Sequence, residues 1–465
     1  MTQSNQTIFA LSSAPGRGGV AVVRASGPAA LEGLKKLAFN RAFPERNAVF
    51  CGFYDEGRKI DQGLALYFKG PASFTGEDVV EYHIHGGRAV TDALLKALGK
   101  LAGHRPAEPG EFTKRAFENG KLDLTAAEAV ADLINAETQS QREQALFQMD
   151  GALEGLYSGW AGRLKKALAH QEAEIEFPED DMPSGIAESL KPELEKIHAE
   201  IKEHLDDKRR GERLREGISI AIVGAPNAGK SSLLNALARR EAAIVSEQAG
   251  TTRDVIEVHL DLGGFPVIVA DTAGLREKTD DAIEVEGMRR ARKRAEEADF
   301  RLAVFDATKE PDRETLEFLK DGENTLVVLN KTDLVLDPSR VLAEAGTHGI
   351  PKEWAPASAG APACSVIAVS AKTGKGMIEL LDALTKKIAD LYGSEQRKTP
   401  RLTRPRHRLL AQECRAHVER ALKATLPELA AEDLRLATRA LGKLTGRVDV
   451  EDLLDVIFRD FCIGK

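Results

Sequence analysis

A chain of 465 residues has room for about three domains. Its 42% hydrophobic and 30% charged residues can build a packed core and exclude wholesale disorder. No apolar run approaches the roughly 18 residues of a membrane span, and a formal net charge of −8 argues against a generally basic nucleic-acid binder while leaving room for a local basic patch.

The first ten residues lack both a basic flank and an apolar core, so no secretory signal is expected and the natural location is the cytoplasm, away from any membrane. Residues 1–121 alternate short β-branched runs, such as Val20-Ala21-Val22-Val23, Leu64-Ala65-Leu66-Tyr67-Phe68 and Val79-Val80-Glu81-Tyr82-His83-Ile84, with Gly and Pro turns. That texture predicts a mixed α+β domain. Over residues 122–215 the texture becomes helical. No proline occurs between Pro109 and Pro178, and Ala126, Ala129, Val130, Leu133 and Ile134 recur at helical spacing. The acidic stretch around Phe177 and Pro178 reads as a solvated helix end and loop.

At Ile218 the pattern switches again. Five continuous apolar runs begin at Ile218, Val267, Leu302, Leu326 and Val366, separated by helical segments. Such runs predict a parallel, doubly wound α/β sheet over residues 216–388. Helices return over 389–465, so the simplest architecture inserts the α/β domain into an all-α domain made of two separated segments. Cys51, Cys364, Cys414 and Cys462 have no metal-ligand spacing and imply neither a zinc site nor a disulfide framework.

Between the first apolar run and a helix-like segment lies Gly224-Ala225-Pro226-Asn227-Ala228-Gly229-Lys230-Ser231, followed by Ser232. This is the phosphate-cradling loop: its glycines let backbone amides approach phosphates, Lys230 neutralises the outer ones, and the Ser231 hydroxyl can hold magnesium. Asp271-Thr272-Ala273-Gly274 ends the next apolar run, where a carboxylate can take a magnesium-bound water and a glycine amide can meet a γ-phosphate. Asn330-Lys331-Thr332-Asp333 resembles the guanine-reading motif of GTPases, with Asp333 accepting from groups that adenine lacks. Ser370-Ala371-Lys372 resembles the motif supporting the guanine carbonyl. Four ordered motifs specify GTP rather than ATP. Where many small GTPases orient the attacking water with glutamine, this chain has Leu275, which cannot do so. Glu277, Asp280, Asp281, Glu284 and Glu286 follow as candidates, most of them ordinary solvated charges.

The segment Gly250-Thr251-Thr252-Arg253-Asp254, with Asn227, resembles the TrmE–Era–Septin branch of GTPases. Ala14-Pro15-Gly16-Arg17-Gly18-Gly19-Val20, the segment from Ser73 to Glu81, the segment from Arg105 to Phe117, and the terminal Cys462-Ile463-Gly464-Lys465 narrow this to the MnmE family, also called TrmE. The resemblance covers essentially the whole chain. It implies an N-terminal tetrahydrofolate-binding and dimerisation domain, a helical domain, and a potassium-dependent GTPase domain that pairs face to face during hydrolysis. It implies a homodimer partnered by the flavoprotein MnmG, which uses FAD and NADH. Together they would build an aminomethyl or carboxymethylaminomethyl group on carbon 5 of the tRNA wobble uridine.

By position, the resemblance places potassium on Asn227, Ser246, Gln248 and Thr251, and magnesium on Ser231 and Thr252. It places the water-orienting carboxylate on Glu284, and 5-formyltetrahydrofolate or a related one-carbon folate on Arg24, Glu81, Lys121 and Lys465. Those four would otherwise be ordinary surface charges. His83 and His85 share a strand face but lack a third ligand, which favours packed or hydrogen-bonded roles over metal binding. Cys462 has three readings: a prenylation box, disfavoured by the final lysine; a buried structural thiol; or, as the resemblance suggests, a thiol beside the folate and substrate chemistry. Eight cations between Arg397 and Arg420 read by default as a solvated helix face, with tRNA backbone contact as the alternative. Two competing functions remain: a regulatory GTPase switch in ribosome assembly or signalling, and a folate-dependent one-carbon enzyme whose GTPase domain only regulates. A switch needs neither a folate domain nor the terminal Cys-Ile-Gly-Lys.

Overall fold

The computed structural model describes residues 6–176, 186–240, 242–244, 257–271, 293–320, 324–335, 366–393, 399–448, 454, 457–459 and 461–464. They divide into two compact units, one of residues 1–134, 146–202 and 409–465, the other of residues 135–145 and 203–408.

The first unit opens with β1 (Thr7–Leu11), β2 (Gly18–Ser26), α1 (Ala30–Leu37), β3 (Val49–Asp55), β4 (Arg58–Phe68), β5 (Val79–Gly86), α2 (Arg88–Gly99), β6 (His104–Pro106) and α3 (Glu111–Glu118). Its sheet runs β3-β4-β5-β2-β1-β6, antiparallel except for the β1–β6 pair. The α+β texture expected from the sequence is what forms. Strand alternation sends Val23, Ala25, Val80, Tyr82, Ile84, Phe53 and Ala65 into a core shared with Leu34, Leu94 and Leu98 of the two helices. The opposite face carries the cross-strand row Phe50–Leu64–His83–Val22. Phe50 is 60% exposed there, and Val20 at the same end of β2 is 63% exposed. Helices follow: α4 (Leu124–Ile134), α5 (Gln139–Met149), which straddles the division at residue 145, α6 (Ala152–Glu176) and α7 (Ile186–Leu205), whose last residues pass into the second unit, and then α12 (Pro405–Lys423), which begins in the second unit, and α13 (Pro427–Thr445). Numbers α8 to α11 belong to the second unit. Leu124 and Ala127 of α4 close over Leu454, Phe458 and Phe461 from the C-terminal segment.

The second unit holds α8 (Arg210–Glu216), β7 (Ile218–Val223), α9 (Lys230–Ala238), β8 (Glu257–Leu262), β9 (Phe265–Asp271), β10 (Phe300–Asp306), α10 (Arg313–Glu317), β11 (Thr325–Asn330), β12 (Val366–Ala368) and α11 (Met377–Tyr392). The sheet runs β12-β11-β10-β7-β9-β8. All five strands expected from apolar runs pair in parallel. Ile220 and Ile222 pack on one face with Leu233, Leu237 and Leu384. Ala221 and Val223 pack on the other with Ala295, Ala303 and Phe305. The sheet is therefore covered on both faces, as doubly wound sheets are. One strand was not anticipated. β8 reads Glu-Val-His-Leu-Asp-Leu, and its exposure alternates along an antiparallel edge. That is the period of a strand with one solvated face rather than a buried apolar run.

A buried ion-pair network braces the N-terminal sheet. Arg115, 5% exposed, donates to Glu77 at 3.0 Å and to Glu111 at 3.0 Å, while Arg105 holds Glu111 from the other side at 2.7 Å. Ser26 of β2 donates to the same Glu77 at 2.6 Å. Burial pushes the Glu111 carboxyl up, but hydrogen bonds from Arg105 and the Glu108 amide, with both guanidinium charges, outweigh that and hold it below the usual range. Arg115→Ala should lower local stability by about 3 kcal/mol, since it takes the paired cation from the half-buried Glu77 and leaves Glu111 with Arg105 alone. Hydrogen exchange of the β2 and β5 amides reads this. Glu111 contributes only while ionised, so its share is present above the ordinary glutamate value of about 4.3 and lost as pH falls further. Wild-type protection should drop in acid more steeply than that of the variant.

Candidate nucleotide and ligand sites

The all-buried strand β7 delivers the loop of residues 224–229 to the start of α9. Two glycines there are dictated by close approach. A Cβ on Gly224 would lie 2.3 Å from the Val304 carbonyl oxygen, and one on Gly229 would lie 2.2 Å from Asn330 Nδ2. Gly224, Gly229 and Asn227 all have positive φ, a backbone that turns successive amides toward one point and suits an anion. Lys230 is buried and donates to the Gly224 and Ala225 carbonyls at 2.7 and 2.9 Å, curled over the loop it was expected to serve. Ser231 and Ser232 are exposed on the first turn of α9.

The segment after β11 holds this loop from behind. Asn330 donates from Nδ2 to the Ala228 carbonyl at 3.0 Å and accepts at Oδ1 from the Ala371 amide at 3.1 Å, so one buried side chain spans two loops. Lys331 donates from Nζ to the Asn227 carbonyl and to Asp306 Oδ2, each at 2.7 Å. Thr332 binds the Val369 carbonyl through its amide at 3.2 Å and its hydroxyl at 2.9 Å. Ser370 donates to Asp333 Oδ1 at 2.7 Å, leaving the second carboxylate oxygen for another partner. Lys372 is exposed beside Ala371. A carboxylate steadied by one hydroxyl, beside a phosphate-shaped loop, can pair with a ligand that offers two adjacent N–H donors.

Asp306 was not anticipated as part of this assembly. Its side chain, 7% exposed, ends β10 and also accepts from the Thr308 amide and hydroxyl at 3.0 and 2.6 Å. Burial pushes its carboxyl up, but the hydrogen bonds from Lys331 and Thr308 and the Lys331 charge hold it below the usual range. The available signal was a carboxylate at the C-terminal end of a parallel strand, where such sheets bind ligands. Asp271 ends β9 opposite Ile222 of β7, and its side chain is outside the described residues. So are Ser246, Gln248, Thr251, Thr252, Thr272, Ala273, Gly274, Leu275, Glu284 and Lys465.

A second cluster lies on the outer face of the N-terminal sheet. Arg24 and Glu81 are register partners on β2 and β5 and pair at 2.9 Å. The Arg24 guanidinium sits 5.7 Å from the Phe74 ring centre and 5.9 Å from that of Phe112. Neither ring was singled out from sequence. Lys121 donates to the Pro71 carbonyl at 3.1 Å, and its Cγ lies 3.4 Å from where a Gly76 Cβ would stand. Both contacts belong to the loop that carries Phe74. His83 pairs with Glu81 at 3.3 Å and His85 with Asp61 at 2.9 Å, so both imidazoles are hydrogen-bonded.

The C-terminal tail docks on the same domain. Ile463 bridges to Pro109, the Gly464 carbonyl accepts from Ser12 Oγ at 3.0 Å, and the Gly110 amide reaches the Cys462 carbonyl at 3.4 Å. Cys462 is exposed, which removes the buried-thiol reading; Cys51 and Cys414 are the buried ones, and burial pushes the Cys414 thiol up to about 12. The basic stretch from Arg397 to Arg420 is not one open cationic face. Arg408 is held by Asp207 at 2.6 Å and Glu212 at 3.0 Å, and Arg420 by Asp433 at 2.9 Å. Arg397 and Lys398 lie outside the described residues.

Two family descriptions match the chain: MnmE helical domain over residues 124–462, and GTP-binding protein TrmE N-terminus over residues 7–121. The chain is 54% identical to the tRNA modification GTPase MnmE of Parvibaculum lavamentivorans, over 99% of this chain and 100% of that one. It is 53% identical to the protein of the same name from Paramagnetospirillum magneticum, with the same coverage. A mitochondrial 5-taurinomethyluridine tRNA synthase subunit of Danio rerio is 44% identical, over 99% of this chain and 93% of that one. No helix among the described residues is long and apolar enough to cross a membrane.

Asp306→Asn should loosen the Lys331 tether on Asn227 without changing side-chain volume. Losing a charge-assisted bond of this kind should weaken guanine-nucleotide affinity by about tenfold, read by displacement of a fluorescent GDP analogue.

Proposed function

The chain belongs to the MnmE family of tRNA modification GTPases, and from that membership we propose that it binds and hydrolyses GTP as part of tRNA modification. The observation that carries this reading is the joined pair of loops: a phosphate-shaped loop at 224–229, tied through Asn330 and Lys331 to a carboxylate, Asp333, presented beside it. Guanine supplies the N1–H and 2-amino donors that Asp333 can accept, and adenine does not.

The finer chemistry extends the same proposal. Asn227 projects from the phosphate loop with a side chain that makes no hydrogen bond among the described residues, so its amide oxygen is available to a hard monovalent cation. A potassium ion held by Asn227, Ser246, Gln248 and Thr251 would supply positive charge beside the phosphates, the part an arginine finger plays elsewhere. Ser231, exposed at the start of α9, and Thr252 would hold magnesium. Lys230 would leave its two loop carbonyls to neutralise the terminal phosphates, and Glu284 would orient the attacking water that Leu275 cannot.

Arg24, a guanidinium near the Phe74 and Phe112 rings and paired with Glu81, on a domain that also carries Lys121 and the docked tail, fits a flat heterocycle with acidic groups. A one-carbon tetrahydrofolate such as 5-formyltetrahydrofolate is such a molecule, with Lys465 contributing from the tail. When bound it would supply a carbon at the formaldehyde or formate level, and the exposed Cys462 thiol would stand near that chemistry. The apolar row of Phe50 and Leu64 on the outer sheet face fits a homodimer contact. With the flavoprotein MnmG, carrying FAD and using NADH, the chain would add an aminomethyl or carboxymethylaminomethyl group to carbon 5 of the wobble uridine in the cytoplasm.

Nucleoside analysis of tRNA from a deletion strain tests the reading. The modified wobble uridine should disappear and return with the wild-type gene. Cys462→Ser should fail to restore it while keeping GTP turnover. Normal modified uridine in the deletion strain would favour the regulatory switch instead.

Hydrolysis should be accelerated strongly by potassium and not by sodium. Glu284→Ala should lower turnover by about a hundredfold or more, the range of a positioned acid–base group, with GTP affinity kept. Equal rates in the two salts, or full activity in the variant, would refute this part.

A further inference from the structure

Arg408 of the second unit is held by two carboxylates and Arg420 by one, and a further group of cations stands on the first unit. α6 and α13 pack along each other, and small residues at their contact, Ala161 and Gly442, leave a cavity of about 290 Å³. A Cβ on Gly442 would come within 2.8 Å of Val448 Cγ2, so the chain returning after α13 closes over this glycine. Four cations line the cavity: Lys165 from α6, and Arg435, Arg439 and Arg447 from α13 and the turn after it. Lys443 falls in the same series, so cations recur at every fourth residue from 435 to 447, with no carboxylate between Asp433 and Val448.

Several features make this surface a receptor for an anion rather than a self-neutralised face. Arg435 is paired with Glu172 and Glu432, and Arg447 with Glu154, in exposed ion pairs that contribute little and yield to a stronger anion. Lys165 and Lys443 make no ion pair among the described residues. Lys165 is exposed in the middle of α6, away from any helix end whose dipole could use its charge. Three hydroxyls at the cavity are already engaged, Ser158 with Glu154, Thr438 with the Leu434 carbonyl and Thr445 with the Gly442 carbonyl. Arg435, Arg439 and Lys443 on α13 advance about 6 Å per step, a stride that follows a chain of charges instead of capping one, and Arg447 stands in the turn beyond them. A row of cations along one helix is the electrostatic footprint of a nucleic-acid backbone.

We propose that the cavity between α6 and α13 seats a phosphodiester group of the tRNA, and that the row from Arg435 to Arg447 tracks the neighbouring phosphates. This rests on the tRNA reading above and adds to it a place on the chain.

The test is equilibrium binding of a tRNA transcript to the full-length chain at several salt concentrations. Lys165→Glu and Lys443→Glu should each weaken binding by about fivefold or more and flatten the slope of log affinity against log salt by about one unit. Lys165→Gln should give a smaller loss. GTP turnover should be unchanged in all three. Lys96→Glu, an exposed lysine on α2, imposes the same charge change elsewhere and should leave binding near wild type. Cavity variants that bind like Lys96→Glu overturn the proposal. So does loss of wobble-uridine modification with tRNA binding intact, which would assign the surface to a protein partner. A wild-type chain that binds no tRNA even at low salt would fail the tRNA reading itself, and that arm is seen before any variant is compared.

Discussion

A loop that turns its amides toward an anion has few bonds of its own, here the Ala228 amide on the Ala225 carbonyl at 3.2 Å, so most of its shape has to be imposed from behind. In this chain Asn330 and Lys331 do that, one reaching the Ala228 carbonyl and the other the Asn227 carbonyl. Asp306 in turn holds Lys331. The glycines at 224 and 229 follow from the same constraint, because β10 and Asn330 come too close for any side chain there. Asn330 also reaches the amide of Ala371, so the three loops at this end of the sheet share one side chain. What perturbs one of them is felt by the others, and base and phosphate recognition become properties of a single assembly.

The N-terminal sheet answers a different constraint. It has one buried and one open face, and the open face collects groups that are costly to leave alone. Glu81 serves both Arg24 and His83, and the guanidinium lies 5.7 Å from the Phe74 ring centre and 5.9 Å from that of the buried Phe112. Behind it, Arg115 and Arg105 clamp Glu111 and Glu77. The loop of residues 70–78 is thereby held at both ends, by Asp78 on the Gly70 amide and by Glu77 on Arg115. A rigid loop beside an accessible Arg–Glu pair suits a ligand site that has to exist before its ligand arrives.

Much of this was open to reading in the sequence, for physical reasons that differ from place to place. The inner strands β7 and β9–β11 are continuous apolar runs because both their faces are covered, and the short edge strand β12 carries an apolar run as well. β8 escaped notice because an edge strand buries one face only, and its alternating residues form no run. The phosphate loop and the 330–333 segment are local strings, visible wherever they occur. Asp306 is a lone carboxylate whose importance lies in a bond to a residue 25 positions away, and no string marks it. Arg24 and Glu81 are 57 positions apart and meet only through strand register, so composition and spacing could not join them; only the family resemblance did. The stretch from Arg397 to Arg420 misled in the opposite way. Its charge density was visible, but the carboxylates that absorb it, Asp207, Glu212 and Asp433, lie elsewhere in the chain.

The bond between Ser12 and Gly464 spans 452 positions. β1 leaves the ribosome early, and its partner in the tail is not made until about half a minute or more later, at ordinary elongation rates. Throughout that interval the Leu11 carbonyl, against which Gly464 packs so closely that a Cβ there would lie at 2.1 Å, faces water or whatever else is near. The N-terminal domain must therefore fold around an unfilled slot and be finished last. Docking the tail closes a loop of nearly the whole chain, but loop closure grows only logarithmically with length, so the delay is a matter of synthesis and not of thermodynamic cost. For that interval a nascent chain holds the strands of its first domain but not the residues that complete it.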